Sequence, residues 1–167
     1  MVAVAARWQR QTVYTMFHTM NVQVEPILPL DSYPVPLPLV GGKARSLAQL
    51  VSASFPVPDG FVVTTAAYRQ LVEDNGLTAK LQKILSDTNL DDPAAVGRTA
   101  EQIVPWFESA TLPVGFDDSL SASYRKIGAD DPPVAVRSSA TVEDLPELSF
   151  AGQQDSFLEV RGSAAVM

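Results

Sequence analysis

Residues 133–162 read PVAVRSSATVEDLPELSFAGQQDSFLEVRG. An apolar strand of Val134, Ala135 and Val136 delivers Arg137 into a small polar run, Ser138-Ser139-Ala140-Thr141. After a loop, Gly152 leads into a second strand expected over residues 154–160. A cation fixed at a strand end, followed by hydroxyls and a glycine that permits close approach, suits a phosphate group. A surface hairpin whose Arg and Ser residues only solvate a turn accounts for the same composition, because both residue types are usually exposed. Taken alone, the stretch leaves these two readings balanced.

Working outward, the preceding residues read as helices. Leu120, Tyr124 and Ile127 share a helical face that Gly128 closes. Asp92-Pro93 is an N-cap followed by a first-turn proline, opening a helix with Val96, Ala100, Ile103 and Val104, which Pro105 must kink or end. Leu77, Leu81, Ile84 and Leu85 mark another amphipathic helix, and Tyr68, Leu71 and Val72 mark one that stops at Asn75-Gly76. Thr64 or Thr65 can cap that helix. Before it, Phe61-Val62-Val63 is a short buried strand. Leu47, Leu50 and Val51 predict a helix over about residues 44–53. These apolar stripes, with Trp106, are read as core faces. One strand, several helices and a hairpin predict an α+β domain rather than a repeating βαβ array.

Pro26, Pro29, Pro34, Pro36 and Pro38 force an extended, non-helical segment that ends at Gly41-Gly42. Gly41-Gly42-Lys43 is the second constellation. Two glycines allow the backbone to approach a ligand, the following helix offers its first N–H groups to anions, and Lys43 adds a mobile positive charge. It is not a Walker A loop, since Leu37 stands where that pattern needs glycine and Ala44 where it needs a hydroxyl. A solvated turn lysine explains a lone GGK equally well.

The two constellations together carry a resemblance. Leu39-Val40-Gly41-Gly42-Lys43, then Phe55-Pro56-Val57-Pro58-Asp59-Gly60-Phe61 before a Thr-Thr helix start, then VRSSAT and SFAGQ occur in that order. From near Leu28 onward the chain resembles the N-terminal nucleotide-binding region of the phosphoenolpyruvate synthase and pyruvate phosphate dikinase family, which includes rifampin phosphotransferase-like proteins. The resemblance implies a partial ATP-grasp-type domain, its first lobe, with helices packed on a small, mainly antiparallel sheet. It implies ATP as ligand with Mg²⁺ as companion ion.

Carried over by position, the resemblance assigns Lys43 and Arg137 to the ATP phosphates and Gly152 to a glycine-containing loop over them. Ser156 stands where relatives often carry threonine and can make the same hydrogen bond. Ser138, Ser139 and Thr141 are second-rank phosphate contacts, while Gln153 and Gln154 order the hairpin. Glu143 and Asp144 are candidate metal ligands, but pairing with Arg137 or capping near Leu145 is the preferred role for them. Departures from the family are Ala44 after GGK, Arg45 next to it, and ELSF where DASF is common.

The resemblance also sets an expectation about extent. Residues 25–167 read as a first lobe truncated at its C-terminus, with a helix beginning at Ser163. The second lobe, the phosphorylated histidine and the acceptor domain of such enzymes have no counterpart here, and the single histidine, His18, matches no catalytic position. The expectation is an ATP-binding portion without turnover alone. The alternatives are a partner-binding or split-subunit protein working with a complementary chain, a rifampin phosphotransferase-like lobe, or a remnant that does not fold stably. Pyruvate and an antibiotic hydroxyl remain equally open as acceptors.

Bulk properties agree. The chain has 167 residues, 46% hydrophobic and 19% charged, which suits one globular domain. A net charge of −7 argues against nucleic acid as a partner. No apolar run approaches the roughly 20 residues of a membrane span. There are no cysteines and no N-glycosylation sequon, which fits a cytoplasmic protein. Residues 1–24 differ from the rest, with Arg7 and Arg10 but no acidic residue, and read as a disordered or mis-assigned extension.

Overall fold

The structure, a computed structural model, describes residues 25–140 and 156–167. The extension at residues 1–24, with His18, lies outside them, as do Thr141, Glu143, Asp144, Gly152, Gln153 and Gln154. In chain order the described elements are β1 (Ile27–Pro29), α1 (Leu37–Ser52), β2 (Phe61–Val63), α2 (Thr65–Asp74), α3 (Leu77–Asp87), α4 (Pro93–Glu108), α5 (Phe116–Ile127), β3 (Val134–Arg137), β4 (Ser156–Val160) and α6 (Ser163–Val166). This is an α+β arrangement, and its antiparallel sheet comes as two separate two-stranded pairs.

In the first pair, Ile27 faces Val63, Leu28 faces Val62 and Pro29 faces Phe61. The proline sits at the end of its strand, where the missing N–H costs least. Thr64 follows directly and is almost wholly buried. It occupies the N-cap position of α2, but its hydroxyl does not cap the helix. It donates instead to the carbonyls of Glu25 and Pro26, at 3.0 and 3.3 Å, and so ties the start of β1 to the end of β2. Thr65 likewise turns away from capping and donates to the Pro38 carbonyl at 2.9 Å. The expected side-chain caps are therefore replaced by three tertiary bonds, which tie the start of α2 to the residues before β1 and to the first turn of α1.

Helix α1 departs from expectation at both its start and its buried face. It begins at Leu37 rather than near Ala44, with Pro38 in its first turn, where proline needs no intrahelical N–H. Gly41 then breaks the helical path with φ 78° and ψ 173°, so a single turn precedes the main helix. The buried side is Val40, Ala44 and Ala48, which pack with Val35, Leu28, Leu39 and Val62. Leu50, expected in the core, is 40% exposed. Small residues at fourfold spacing let the α1 backbone lie close to the β1–β2 pair, and the larger leucines are left to the outer side.

Helices α2 to α5 follow the punctuation of the sequence. Asn75-Gly76 separates α2 from α3, with Gly76 in the left-handed region at φ 62°. Both amide groups of Asn75 bond the backbone of Thr111, at 2.8 and 2.9 Å, which holds the α4–α5 connection against the α2–α3 turn. Asp92 caps α4 by accepting from the Ala94 N–H at 2.9 Å. Pro105 does not end α4, which runs on to Glu108, where Phe107 stacks on Tyr68 of α2 with ring centroids 5.9 Å apart. The expected core stripe of α4 is only partly covered. Val96 and Val104 are 40% and 51% exposed, while Thr99 is the buried residue and bonds Thr88 across the α3–α4 boundary at 2.8 Å.

The second pair carries the motif that opened the sequence reading. Val134 faces Val160, Val136 faces Phe157 and Arg137 faces Ser156. Leu158 and Glu159 thus stand together opposite Ala135, a one-residue bulge on β4 whose extra residue, Glu159, has φ 56°. Such a bulge increases twist and re-aims the strand beyond it. The base of this hairpin is held by Tyr124 of α5, which is 2% exposed. Its hydroxyl donates to the Pro132 carbonyl at 2.6 Å and accepts from the Gly162 N–H at 2.8 Å, joining the segment that leads into β3 to the residue before α6. Arg161 crosses the same base to the Asp131 carbonyl at 3.2 Å.

Candidate functional site

The break at Gly41 does more than bend α1. In an uninterrupted helix the Gly42 N–H would bond the Pro38 carbonyl and the Ala44 N–H the Val40 carbonyl. Here the Gly42 N–H donates to the Ala140 carbonyl at 3.0 Å, and the Ala44 N–H donates to the Ser139 hydroxyl at 3.0 Å. The Pro38 carbonyl receives the Thr65 hydroxyl in exchange. The GGK turn is thereby fastened to the polar run that follows β3, across 95 residues of sequence. The two constellations of the sequence reading form one junction.

Close approach requires the glycine. A Cβ at Gly41 would run into the carbonyl and the hydroxyl of Ser139, and the φ of 78° would strain any other residue. Gly41, Gly42 and Ala44 are buried, and Lys43 between them is half-buried. Arg45, the next residue but one after Lys43, is exposed. The backbone of Lys43 is thus flanked on both sides by bonds to the strand end that carries Arg137.

Arg137 closes β3 directly opposite Ser156, the first residue of β4, and both are exposed at the end of the pair away from Tyr124. Lys43, Arg137, Ser138, Ser139 and Ser156 therefore stand on three neighbouring pieces of backbone: the helix start, the end of β3 and the start of β4. Thr141 and Gly152 lie outside the described residues, between those strands. The expectation that the helix start offers its N–H groups to an anion is modified, since two of those groups are already bonded to Ser139 and Ala140. What remains for an anion is a junction with a lysine and an arginine on rigidly connected backbone.

Among the described residues no three His, Asp or Glu side chains gather as a metal site. The described part of the junction thus presents cations and hydroxyls, a donor set that fits phosphate oxygens and does not fit a bare divalent ion. No helix of the described residues is long and apolar enough to cross a membrane.

Sequence reasoning missed two contributors. Ser139 was read as a phosphate contact, and its hydroxyl is also the acceptor for the Ala44 N–H. Tyr124 was read as core, and its hydroxyl holds the hairpin base. Helical spacing marked Tyr124 as inward-facing but gave no sign of what its oxygen would meet.

Comparison with known proteins places this junction in a family context. The chain is 44% identical over 136 residues to a phosphoenolpyruvate synthase of Aeropyrum pernix, a match covering 78% of this chain and 17% of that protein. It is 41% identical over 133 residues to a probable phosphoenolpyruvate synthase of Methanocaldococcus jannaschii, covering 77% of this chain and 11% of that protein. A phosphoenolpyruvate synthase of Deinococcus radiodurans is also 41% identical over 133 residues, with 77% and 17% coverage. The chain spans less than a fifth of the length of these relatives. Residues 37–167, which include the whole described junction, match the family described as pyruvate phosphate dikinase, AMP/ATP-binding domain, and the chain belongs to that family.

Proposed function

We propose that the chain binds the phosphates of ATP at the junction of the GGK turn with the end of β3. Lys43 and Arg137 supply the two cations, with hydroxyls of Ser138, Ser139, Thr141 and Ser156 and the backbone at Gly152 completing the cradle. The observation that carries this reading is the pair of bonds from Gly42 to Ala140 and from Ala44 to Ser139, which brings both cations onto connected backbone. A triphosphate needs several fixed cations and N–H groups to offset its charge. Mg²⁺ would arrive with the nucleotide, held by its phosphate oxygens, as is usual for this ion.

In this reading residues 25–167 are the first lobe of an ATP-grasp-type domain, preceded by an atypical extension at residues 1–24, in a cytoplasmic protein. The chain contributes nucleotide binding to a phosphoenolpyruvate synthase-like phosphotransfer. A second reading, a lobe that works with a complementary chain, is favoured by Phe157 and Leu158, adjacent large residues of β4 that are 60% and 70% exposed. Formation of a stable complex with a separately expressed second lobe and histidine domain would support it, and failure of that complex to form would count against it.

Calorimetric titration of Mg-ATP into the chain and into Arg137→Ala tests the first reading. Loss of one charge-assisted phosphate contact costs about 1.5–3 kcal/mol, so the variant should bind roughly ten- to a hundredfold more weakly. Equal affinities would remove Arg137 from the site.

A further inference from the structure

We infer that Ser139 is the positioning residue of the phosphate site: its hydroxyl oxygen, by accepting the Ala44 N–H, sets the spacing between Lys43 and Arg137 before any ligand arrives. This inference rests on the ATP-phosphate reading above and goes beyond it by giving Ser139 a role separate from contact with the ligand.

Three observations converge on it. Ser139 lies two residues beyond Arg137, and its hydroxyl is 3.0 Å from the amide nitrogen of Ala44, the residue after Lys43. Its carbonyl and hydroxyl together occupy the space that a side chain at Gly41 would need, so the turn and the strand end fit with nothing between them. The neighbouring bond from Gly42 to Ala140 runs parallel at 3.0 Å, on the other side of Lys43.

The chemistry fits an N-cap built from a distant strand. After the break at Gly41 the main part of α1 starts afresh, and the N–H groups of Gly42 and Ala44 are satisfied from outside the helix. Helices usually solve this with a Ser, Thr, Asp or Asn immediately before the first turn, but glycines occupy that place here. Ser139 supplies the missing oxygen from across the fold. A serine oxygen that accepts one N–H still has its own proton and a second lone pair, so contact with a ligand is not excluded by this role. What the bond adds is pre-organisation: the two backbone segments that carry the cations are already joined, so less freedom is lost when a triphosphate binds.

The test uses the full chain with Mg-ATP and tripolyphosphate as probes, and hydrogen exchange of the Ala44 amide as the direct readout. In the ligand-free wild type that amide should already be protected, and Mg-ATP should change its exchange little. Ser139→Ala should speed the exchange without ligand and weaken both Mg-ATP and tripolyphosphate by roughly tenfold, the scale of a lost N-cap. Exchange of the Ala94 and Gly162 amides, held by Asp92 and Tyr124 away from the junction, should be unchanged, which separates loss of phosphate positioning from general unfolding. Ser139→Thr, which keeps the acceptor oxygen, should restore both readouts.

An Ala44 amide protected only after ligand addition would overturn the inference, and that measurement needs no variant. Faster exchange in Ser139→Ala with unchanged Mg-ATP affinity would overturn it too. If Lys43→Ala and Arg137→Ala leave Mg-ATP affinity unaltered, the ATP reading itself fails, whatever Ala44 does, so the two failures are told apart.

Discussion

The backbone of Gly41 lies directly against the carbonyl and hydroxyl of Ser139, leaving no room for a side chain between them. This single approach joins the helix that carries Lys43 to the strand that ends in Arg137. Backbone conformation and packing both demand glycine there, since φ is 78° at the same residue.

Gly41→Ala should therefore destabilise the chain by about 2–4 kcal/mol, combining the strained φ with overpacking against Ser139. Urea unfolding measures this directly. A loss below about 0.5 kcal/mol would mean that the turn and the strand end do not touch in solution.

Tyr124→Phe removes a hydroxyl that bonds both Pro132 and Gly162. The ring still fills its place, so the cost comes from two backbone groups left short of a partner, about 1–3 kcal/mol. Exchange of the Gly162 amide should speed up as well, because the hairpin base opens where that N–H was held. An unchanged melting midpoint would indicate that water replaces the hydroxyl.

Thr64→Val keeps the shape of the buried side chain and deletes its bonds to Glu25 and Pro26. We expect a loss of about 1–2 kcal/mol, mainly from the bond to the Glu25 carbonyl, since Pro26 still accepts the Thr64 N–H at 2.9 Å. Thr64→Ser, which keeps the hydroxyl, should preserve those bonds and lose only the packing of one methyl group. Thermal melts of the pair separate the two contributions.

Much of this fold was legible from local signals. Asn75-Gly76, Asp92-Pro93 and Gly128 punctuate the helices where the sequence placed them, and the strands at Phe61 and Val134 begin as read. These signals are local because capping and turn chemistry act over a few residues. The failures are of another kind. The buried face of α1 is Ala44 and Ala48 rather than Leu47 and Leu50, because what decides burial is how closely the helix approaches β1 and β2. The proline-rich segment was read as barring helix up to Gly42, yet Pro38 sits in a first turn that requires no N–H from it.

The site was legible as two pieces, and the resemblance suggested that they belong together. How they join was not. A bond between Ala44 and Ser139 spans 95 residues, and no periodicity or turn rule reports on such a separation. Thr64 shows the same limit: its place before a helix suggests a cap, while its hydroxyl serves the carbonyls just ahead of β1, which only the folded chain brings near.

In the proposed function the GGK turn and the end of β3 form one phosphate-binding junction. Its most direct test is an NMR titration of Mg-ATP that follows the amides of Gly41, Gly42, Lys43 and Ala44 together with those of Arg137, Ser138, Ser139 and Ala140. Both groups should shift with a single common Kd, and Arg137→Ala should weaken the response of both. Shifts confined to one segment, or two unrelated Kd values, would contradict it.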